Sequence, residues 1–241
     1  STELVIVATK TENSKEITFE ANKNKEVRFY YVKAQATLTE KHIDLTTGEE
    51  IEISSNTYTQ NVGTSKTLNR LTDVNYVAAD APSNVPEGII AVGKTENSRE
   101  VTFEANKNKE IRFYYVKAKS KIIEKHIDIT DGSEVILEEH EYTDNVGETK
   151  TLNRLTDVNY VAADAPADVP EGIIVVAKTE NSKEVGYEVN KTKEVRFYYV
   201  KAQSKLTEKH IDITTGEEVI IEEHEYTQNV GTTKTLNRLT N

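Results

Sequence analysis

Cysteine, methionine and tryptophan are absent from the 241 residues of this chain. The lack of cysteine excludes disulfide bonds, thiolate metal sites and cysteine nucleophiles, and it fits either the cytosol or the surface of a Gram-positive cell. Long apolar runs are also missing. No stretch approaches the roughly 18 residues of a membrane span, and residues 1–20 lack the basic and apolar regions of an export signal. We therefore expect no membrane insertion within this segment.

Basic residues are outnumbered by acidic ones. The chain has 41 Asp and Glu residues against 30 Lys and Arg residues, and its formal net charge is -11. Because such a surface repels phosphate groups, binding to nucleic acid or to anionic lipid is disfavoured. Gly63 and Gly88 recur along the chain without any Gly-x-Gly-x-x-Gly or P-loop motif around them, so they are expected to serve backbone geometry. The sequence predicts no cofactor.

Two sequence blocks recur at a fixed spacing. Thr-Glu-Asn-Ser begins at residues 11, 95 and 179, and Thr-Leu-Asn-Arg-Leu-Thr begins at residues 67, 151 and 235, so both step by 84 residues. A constant period of this size indicates a tandem array of small domains. An enzyme rarely needs three copies of one site in a row, whereas a projecting stalk or a multivalent binder gains length or valence with each copy.

Within one repeat the pattern is that of β-strands. Residues 37–53 predict a hairpin with Ile43 and Leu45 on its buried face before a Thr-Thr-Gly turn. Residues 100–118 predict a second hairpin, because apolar residues alternate on both sides of a polar Asn-Lys-Asn-Lys turn. A short helical turn is possible only around Leu68–Leu71, so we expect a mainly β fold. The predicted core is the apolar set shared by the copies: Ile43, Tyr58, Val62, Leu68, Leu71, Tyr76, Ile90, Phe103, Phe113 and Tyr115.

The candidate chemical residues are polar and lie on strands. Glu40, His42 and Asp44 alternate along one strand, so they share a face and resemble a metal or acid-base cluster. Such alternation also suits a solvated strand face, and we favour that interpretation, with no catalytic and no metal-binding residue. The same set recurs at Glu124, His126 and Asp128 and at Glu208, His210 and Asp212. The clustered carboxylates Glu138, Glu139 and Glu141 are likewise expected to form a solvated strand edge, and a calcium site is the alternative.

An aromatic pair closes each copy. In a regular strand one of Tyr114 and Tyr115 must point away from the core, and we expect Tyr114 and its counterpart Tyr198 to point outward. Such a ring either stacks on a sugar or packs against a neighbouring domain. Packing is the favoured alternative, since exposed apolar patches are scarce on soluble monomers. Tyr114 and Tyr198 are the candidate ligand-binding residues.

Two domain divisions are compatible with the period. One opens each domain at the Thr-Glu-Lys-His-Ile-Asp strand and closes it at the aromatic strand. It leaves residues 1–34 as the C-terminal part of a repeat, residues 35–118 and 119–202 as full repeats, and residues 203–241 as the N-terminal part of another. The alternative treats the loop around Pro82 and Pro86 as a linker. In the first division no Gly or Pro lies at the junction, so a stiff, elongated rod is expected.

The repeats resemble the mucin-binding-protein (MucBP) repeats of Gram-positive surface proteins. The residues that carry this resemblance are His42–Gly48, Asn75–Val77 and Ile111–Lys117, with Asn75 at a position where the family has glycine. The resemblance supports the first division and implies a β-grasp-like module displayed on the cell surface and anchored to the wall outside this segment. We therefore expect an extracellular stalk in a surface adhesin, or, alternatively, weak multivalent binding of each repeat to mucin or another host glycoprotein.

Overall fold

The computed structural model describes residues 4–6 and 15–239, and these contain strands, turns and loops but no helix. The predicted mainly β fold is confirmed. The short helical turn around Leu68–Leu71 is wrong, because Leu68 lies in an extended strand that pairs with another strand. The first Thr-Glu-Asn-Ser block, at residues 11–14, lies outside the described residues. Across the part of the chain that the structure covers, no helix could cross a membrane.

The chain divides into two compact units, Ser1–Ala118 and Lys119–Asn241. The strands of the first unit are β1 (Leu4–Ile6), β2 (Tyr31–Lys33), β3 (Gln35–Asp44), β4 (Ile51–Asn61), β5 (Ser65–Asn69), β6 (Tyr76–Ala78), β7 (Ile89–Val92), β8 (Ser98–Thr102) and β9 (Lys109–Lys117). Those of the second unit are β10 (Lys119–Asp128), β11 (Val135–Asn145), β12 (Thr149–Asn153), β13 (Tyr160–Ala162), β14 (Ile174–Val175), β15 (Ser182–Gly186), β16 (Thr192–Lys201), β17 (Gln203–Asp212) and β18 (Val219–Asn229). The division into four repeat segments at residues 34, 118 and 202 stays a prediction.

One mixed sheet dominates the first unit. Its strand order is β4-β3-β9-β6, with β7 joined to β9. The central strands β3 and β9 are parallel, and His42 lies beside Phe113 in their register. β4 pairs antiparallel with β3, which confirms the hairpin predicted in residues 37–53. The first and last long strands of this repeat, β3 and β9, therefore lie side by side in the centre of the sheet.

The second unit repeats this sheet and adds a hairpin. Its strand order is β11-β10-β16-β13, with β14 joined to β16, and β12 pairs with β15 in a separate ribbon. β10 and β16 are parallel and place His126 beside Phe197. β17 and β18 form a two-stranded antiparallel hairpin. In the first unit, β1 and β2 form a separate two-stranded antiparallel ribbon.

The second predicted hairpin, in residues 100–118, is wrong. β8 pairs with β5 in a two-stranded sheet, whereas β9 lies in the five-stranded sheet. Asn106 adopts a positive φ of 59° in the turn that leads from one sheet to the other. Val101 and Phe103 still pack in the same core as Ile111 and Phe113. Alternation therefore predicted which side chains face the core, but it did not determine the partner of each strand.

The predicted core is largely confirmed. Apart from Ile43, every predicted residue belongs to the core cluster of the first unit or packs partly buried against it. Ile43 is buried on the opposite face of β3, where it lies beside Tyr114 in register. Gly63 and Gly88 have φ values of 85° and 88°, and a Cβ at either would meet nothing within 4 Å. The backbone conformation therefore requires glycine at these turns, as predicted.

Candidate functional site

Three polar residues of the central strand β3 are buried. Glu40, His42 and Asp44 are 5%, 3% and 6% exposed, so the predicted solvated strand face is wrong. They share one face of β3 with Ala36 and Leu38, which belong to the hydrophobic core. These residues are therefore buried because their face of β3 packs on the core of the unit, although Ile43 lies on the other face.

The buried side chains form a hydrogen-bonded chain. The Leu71 backbone N–H donates to Tyr115 Oη over 2.9 Å, and Tyr115 Oη lies 2.8 Å from His42 Nδ1. The hydroxyl proton of Tyr115 is therefore assigned to the bond with Nδ1, which leaves the ring proton of His42 on Nε2. Nε2 lies 3.4 Å from Glu40 Oε1, and Tyr58 Oη donates to Glu40 Oε2 over 2.8 Å. Tyr115, His42 and Glu40 therefore each have a polar partner on both sides.

Arg70 packs against the aromatic rings of the site and bonds to the surrounding backbone. Its guanidinium donates to four backbone carbonyl oxygens, those of Glu96 at 2.8 Å, Tyr114 at 3.0 Å, Val92 at 3.2 Å and Gly93 at 2.7 Å. The same group lies 5.4 Å from the ring centroids of Phe113 and Tyr115. Since these carbonyls belong to β7, β9 and the loop after β7, Arg70 ties three segments together without any carboxylate partner.

The second unit contains the same site. His126 Nδ1 lies 2.8 Å from Tyr199 Oη and its Nε2 lies 3.3 Å from Glu124 Oε1, while Tyr142 Oη donates to Glu124 over 2.8 Å. Arg154 again donates to four carbonyl oxygens, those of Glu180, Tyr198, Val176 and Ala177. We call the set of Glu, His, two Tyr and Arg the buried polar network of each unit.

Arg70 and Arg154 were missed in the sequence analysis, although a signal was present. Each lies in the recurring Thr-Leu-Asn-Arg-Leu-Thr block, where a charged residue stands between two leucines in every copy. A cation retained next to buried apolar positions indicates that its charge is satisfied inside the fold. Its partners could not be predicted, because they are backbone carbonyls rather than a complementary carboxylate.

Burial controls the protonation of the network. Desolvation lowers the pKa of His42, and the nearby Glu40 carboxylate only partly offsets this effect. The pKa of His126 is lowered for the same reason. Desolvation raises the pKa of Tyr115, and burial together with the bond to Glu124 raises the pKa of Tyr142 to about 12. At neutral pH the histidines are neutral and the tyrosines keep their protons, as the hydrogen-bond assignment requires.

The polar atoms of the site have partners inside the fold. Within residues 15–239, no buried side-chain nitrogen or oxygen lacks a hydrogen-bond partner. The Asp44 carboxylate also has its partners inside the unit. Its Oδ1 accepts from the Thr46 backbone N–H over 2.8 Å and from the Thr46 hydroxyl. Thr46 Oγ1 in turn accepts from the Lys117 backbone N–H over 2.7 Å. In the residues that the structure describes, no three His, Asp or Glu side chains are arranged to hold a metal ion.

A pH dependence of stability follows from the buried histidines. Because the pKa values of His42 and His126 are lower in the folded units than in the unfolded chain, unfolding takes up protons below about pH 6.5. The free energy of unfolding is expected to fall as the pH decreases from 7 to 5.5, by at most about 1.4 kcal/mol per pH unit for each histidine. Urea denaturation at several pH values measures this slope. His42→Gln should flatten it for the first unit only, and an unchanged slope would contradict the assignment.

The candidate ligand-binding tyrosines are buried. Tyr114 and Tyr198 point away from the main core, as expected, but each is 0% exposed, so the expected outward exposure is wrong. Their rings lie on the sheet face opposite the main core, beside Ile43 and Ile127 in register. Tyr198 Oη lies 3.0 Å from Glu134 Oε1, and Tyr114 Oη lies 3.5 Å from Glu50. In this structure neither ring offers a face on which a sugar could stack.

The acidic residues of β11 are exposed. Glu138, Glu139 and Glu141 lie on this outer strand of the second sheet and face solvent. This confirms the predicted solvated strand edge. His140 lies among them, with Nε2 3.3 Å from Glu138, and is exposed as well. Its equivalent in the first unit, Asn56, lies opposite Glu40 in the β3–β4 register.

No protein-family model and no curated protein matches the chain. Similar solved structures include the Bacillus anthracis TIE protein, at 8% identity and a TM-score of 0.47, with 84% of this chain covering 45% of that one. They also include the type 2 repeat of the mucus binding protein MUB from Lactobacillus reuteri, at 10% identity and a TM-score of 0.22, with coverage of 69% and 100%. Mub-RV matches at 14% identity and a TM-score of 0.18, with coverage of 69% and 98%. These likenesses are too distant to assign a function, and the MucBP resemblance stays a prediction.

Proposed function

We propose that this chain is a stalk segment of an extracellular surface adhesin of a Gram-positive bacterium, anchored to the cell wall outside this sequence. Tandem repeats would hold a distal binding domain away from the wall, and neighbouring repeats of the same chain would be their main partners. The proposal is supported by the 84-residue period, from Thr95 to Thr179, and by the MucBP-like motifs of the sequence. One observation on the joint between repeat segments carries it furthest.

The joint at Ala202 is a single hydrogen-bonded residue. β16 ends at Lys201 and β17 begins at Gln203. The Ala202 N–H donates to the Asn159 carbonyl over 2.8 Å, and the Ala202 carbonyl accepts from the Val230 N–H over 2.7 Å. The chain is therefore fixed to the preceding and to the following segment at the same residue. A joint without free residues transmits orientation from one segment to the next, as a stalk requires.

The joint at Ala34 supports the same interpretation. It is the one residue between β2 and β3, and its carbonyl accepts from the Val62 N–H over 2.8 Å. Val62 and Val230 occupy the same position in successive copies, so two joints use the same contact. We expect joints of this kind to recur wherever copies follow one another.

A non-enzymatic role fits the buried polar network. In each unit the network is enclosed and its atoms are bonded to one another, and the histidine nitrogens are both occupied by protein partners. Such a network specifies a single packing of the core and rigidifies it. Binding of mucin by each repeat is the alternative, but the buried rings of Tyr114 and Tyr198 do not favour it.

Small-angle scattering tests the stalk. A compact domain of one period has a diameter of roughly 30 Å, so nearly three periods in line should extend to about 100 Å. A single globule of the whole chain would instead have a radius of gyration of about 18 Å. We expect a maximum dimension of about 100 Å in data extrapolated to zero concentration. A radius of gyration near that of the single globule would reject the stalk.

A further inference from the structure

We propose that each five-stranded sheet resists tensile force applied along the chain, because its first and last strands form a mechanical clamp. In the first sheet these strands are β3 and β9, and in the second they are β10 and β16. We call each of these parallel pairs the terminal strand pair of its sheet. The resistance follows from the order and direction of the strands, whereas its use on a cell surface rests on the proposed function.

The chain enters and leaves each sheet at opposite ends of the terminal strand pair. It enters the first sheet at Gln35, where β3 begins, and it leaves at Lys117, where β9 ends. Because β3 and β9 are parallel, their beginnings lie at one end of the pair and their ends lie at the other. Tension along the chain therefore pulls the two strands past each other along their own axes.

Sliding of this kind breaks many backbone contacts at one time. β3 and β9 pair over seven consecutive positions, from Leu38 beside Lys109 to Asp44 beside Tyr115, and β10 and β16 pair over eight. Neighbouring residues of a strand are about 3.3 Å apart, so sliding by one residue breaks every pair within that distance. Peeling from one end opens only one pair for a similar length of strand drawn out. Sliding therefore needs a larger force than peeling.

Hydrogen bonds outside the register also join the two strands of the first pair. Inside the buried polar network, Tyr115 Oη lies 2.8 Å from His42 Nδ1. The Leu45 N–H donates to the Tyr115 carbonyl over 2.8 Å, and the Lys117 N–H donates to Thr46 Oγ1 over 2.7 Å. The end of β9 that receives the tension is therefore bonded to the residues that follow β3.

The second terminal strand pair has equivalent bonds. The Ile129 N–H donates to the Tyr199 carbonyl over 2.9 Å, and the Lys201 N–H donates to Thr130 Oγ1 over 2.8 Å. His126 Nδ1 lies 2.8 Å from Tyr199 Oη. Both sheets thus combine a long parallel register with the same bonds at the end where the chain leaves.

Single-residue connections deliver tension to these strands. Ala118 alone separates β9 from β10, and Ala202 alone separates β16 from β17. The Ala118 N–H donates to the Asn75 carbonyl over 2.8 Å, and the Ala202 N–H donates to the Asn159 carbonyl over the same distance. A connection of one residue adds almost no length of its own when the chain is stretched. The terminal strand pairs therefore carry the tension from the start.

Single-molecule pulling tests the clamp in the full chain, which has no native cysteine. Gln35→Cys and Lys119→Cys, both at exposed positions, attach handles that pull along the chain. Gln35→Cys and Lys107→Cys attach the handles at one end of the pair, because the exposed Lys107 lies just before β9. The second geometry peels β3 from β9. At one pulling speed, we expect the along-chain unfolding force to be at least about twofold the peeling force.

The length released on unfolding identifies what has opened. Fully stretched, residues 35–119 span about 280–300 Å and residues 35–107 about 240–260 Å, less the folded distance between the handles. Urea denaturation of both variants is the control. Forced unfolding is governed by the unfolding rate, so two variants with equal free energies of unfolding can still differ in force. Equal free energies would assign the difference to the direction of pulling.

Two results would overturn the proposal. One is an along-chain force no higher than the peeling force. The other is along-chain unfolding in steps much shorter than the full length, because the chain would then unravel before the terminal strand pair carries tension. The second sheet must give the same ratio, with Lys119→Cys paired first with Gln203→Cys and then with Lys191→Cys. Neither measurement depends on the elongated shape that scattering tests, so the clamp and the stalk fail separately.

Discussion

Replacing Arg70 with methionine is expected to lower the free energy of unfolding of the first unit by about 3 to 5 kcal/mol. The substitution keeps most of the side-chain volume but removes the donors to four backbone carbonyl oxygens. Buried carbonyl groups without partners each carry a desolvation penalty, and the contact of the cation with the Phe113 and Tyr115 rings is lost as well. The segments that Arg70 ties together should separate first.

Hydrogen exchange followed by mass spectrometry measures this loss for each unit separately. The second unit, with Arg154 intact, serves as the internal reference, and Arg154→Met should give the reciprocal result. Arg99→Met is the matched control, because Arg99 is exposed and its ion pair with Glu96 lies on the surface. It should change the free energy of unfolding by less than about 1 kcal/mol. A similar small loss for Arg70→Met would show that the four carbonyls do not need its guanidinium.

The sequence contained enough information for the strand content, the first hairpin and most of the core. Alternating apolar residues reflect which side chains leave water, and that preference is local. Val62, Leu68 and Phe103 were therefore placed correctly. The partner of each strand is not local: β9 pairs with β3, far earlier in the chain, rather than with its neighbour β8. A polar turn with Asn106 is equally compatible with a hairpin and with a change of sheet.

The polar face of β3 shows why the site itself was mispredicted. Ile43 and the even-numbered residues from Ala36 to Asp44 lie on opposite faces of this strand, and the even-numbered residues are all buried. In a strand with one solvated face the polar side chains would be the solvated ones. That expectation is wrong here because the polar residues share their face with Ala36 and Leu38 of the core. The hydrogen bonds that make burial of His42 tolerable come from Tyr115 and Glu40, and the first of these residues lies in another strand. No local pattern could reveal that contact.

The second large effect is expected for Phe113→Ala, at about 3 to 5 kcal/mol in the first unit. Phe113 is fully buried, and its ring stacks on His42 with centroids 5.1 Å apart and an interplanar angle of 10°. Removal of the ring would leave a cavity and would also remove the support of the His42 ring and of the Arg70 guanidinium. The transfer and cavity contributions therefore add to a weakening of the buried polar network.

Tyr114→Ala tests whether the Tyr114 ring is buried, as in the structure, or exposed, as the sequence pattern predicts. An outward Tyr114 would cost little on truncation, whereas the observed fully buried ring should cost an amount similar to Phe113→Ala. Tyr114→Phe removes only a hydroxyl 3.5 Å from Glu50 and should cost less than about 1 kcal/mol. Val77→Ala, at an exposed position of β6, provides the baseline. If Tyr114→Ala matched Val77→Ala in urea denaturation, the second face of the sheet would be open to solvent, and Tyr114 would again be available to a ligand.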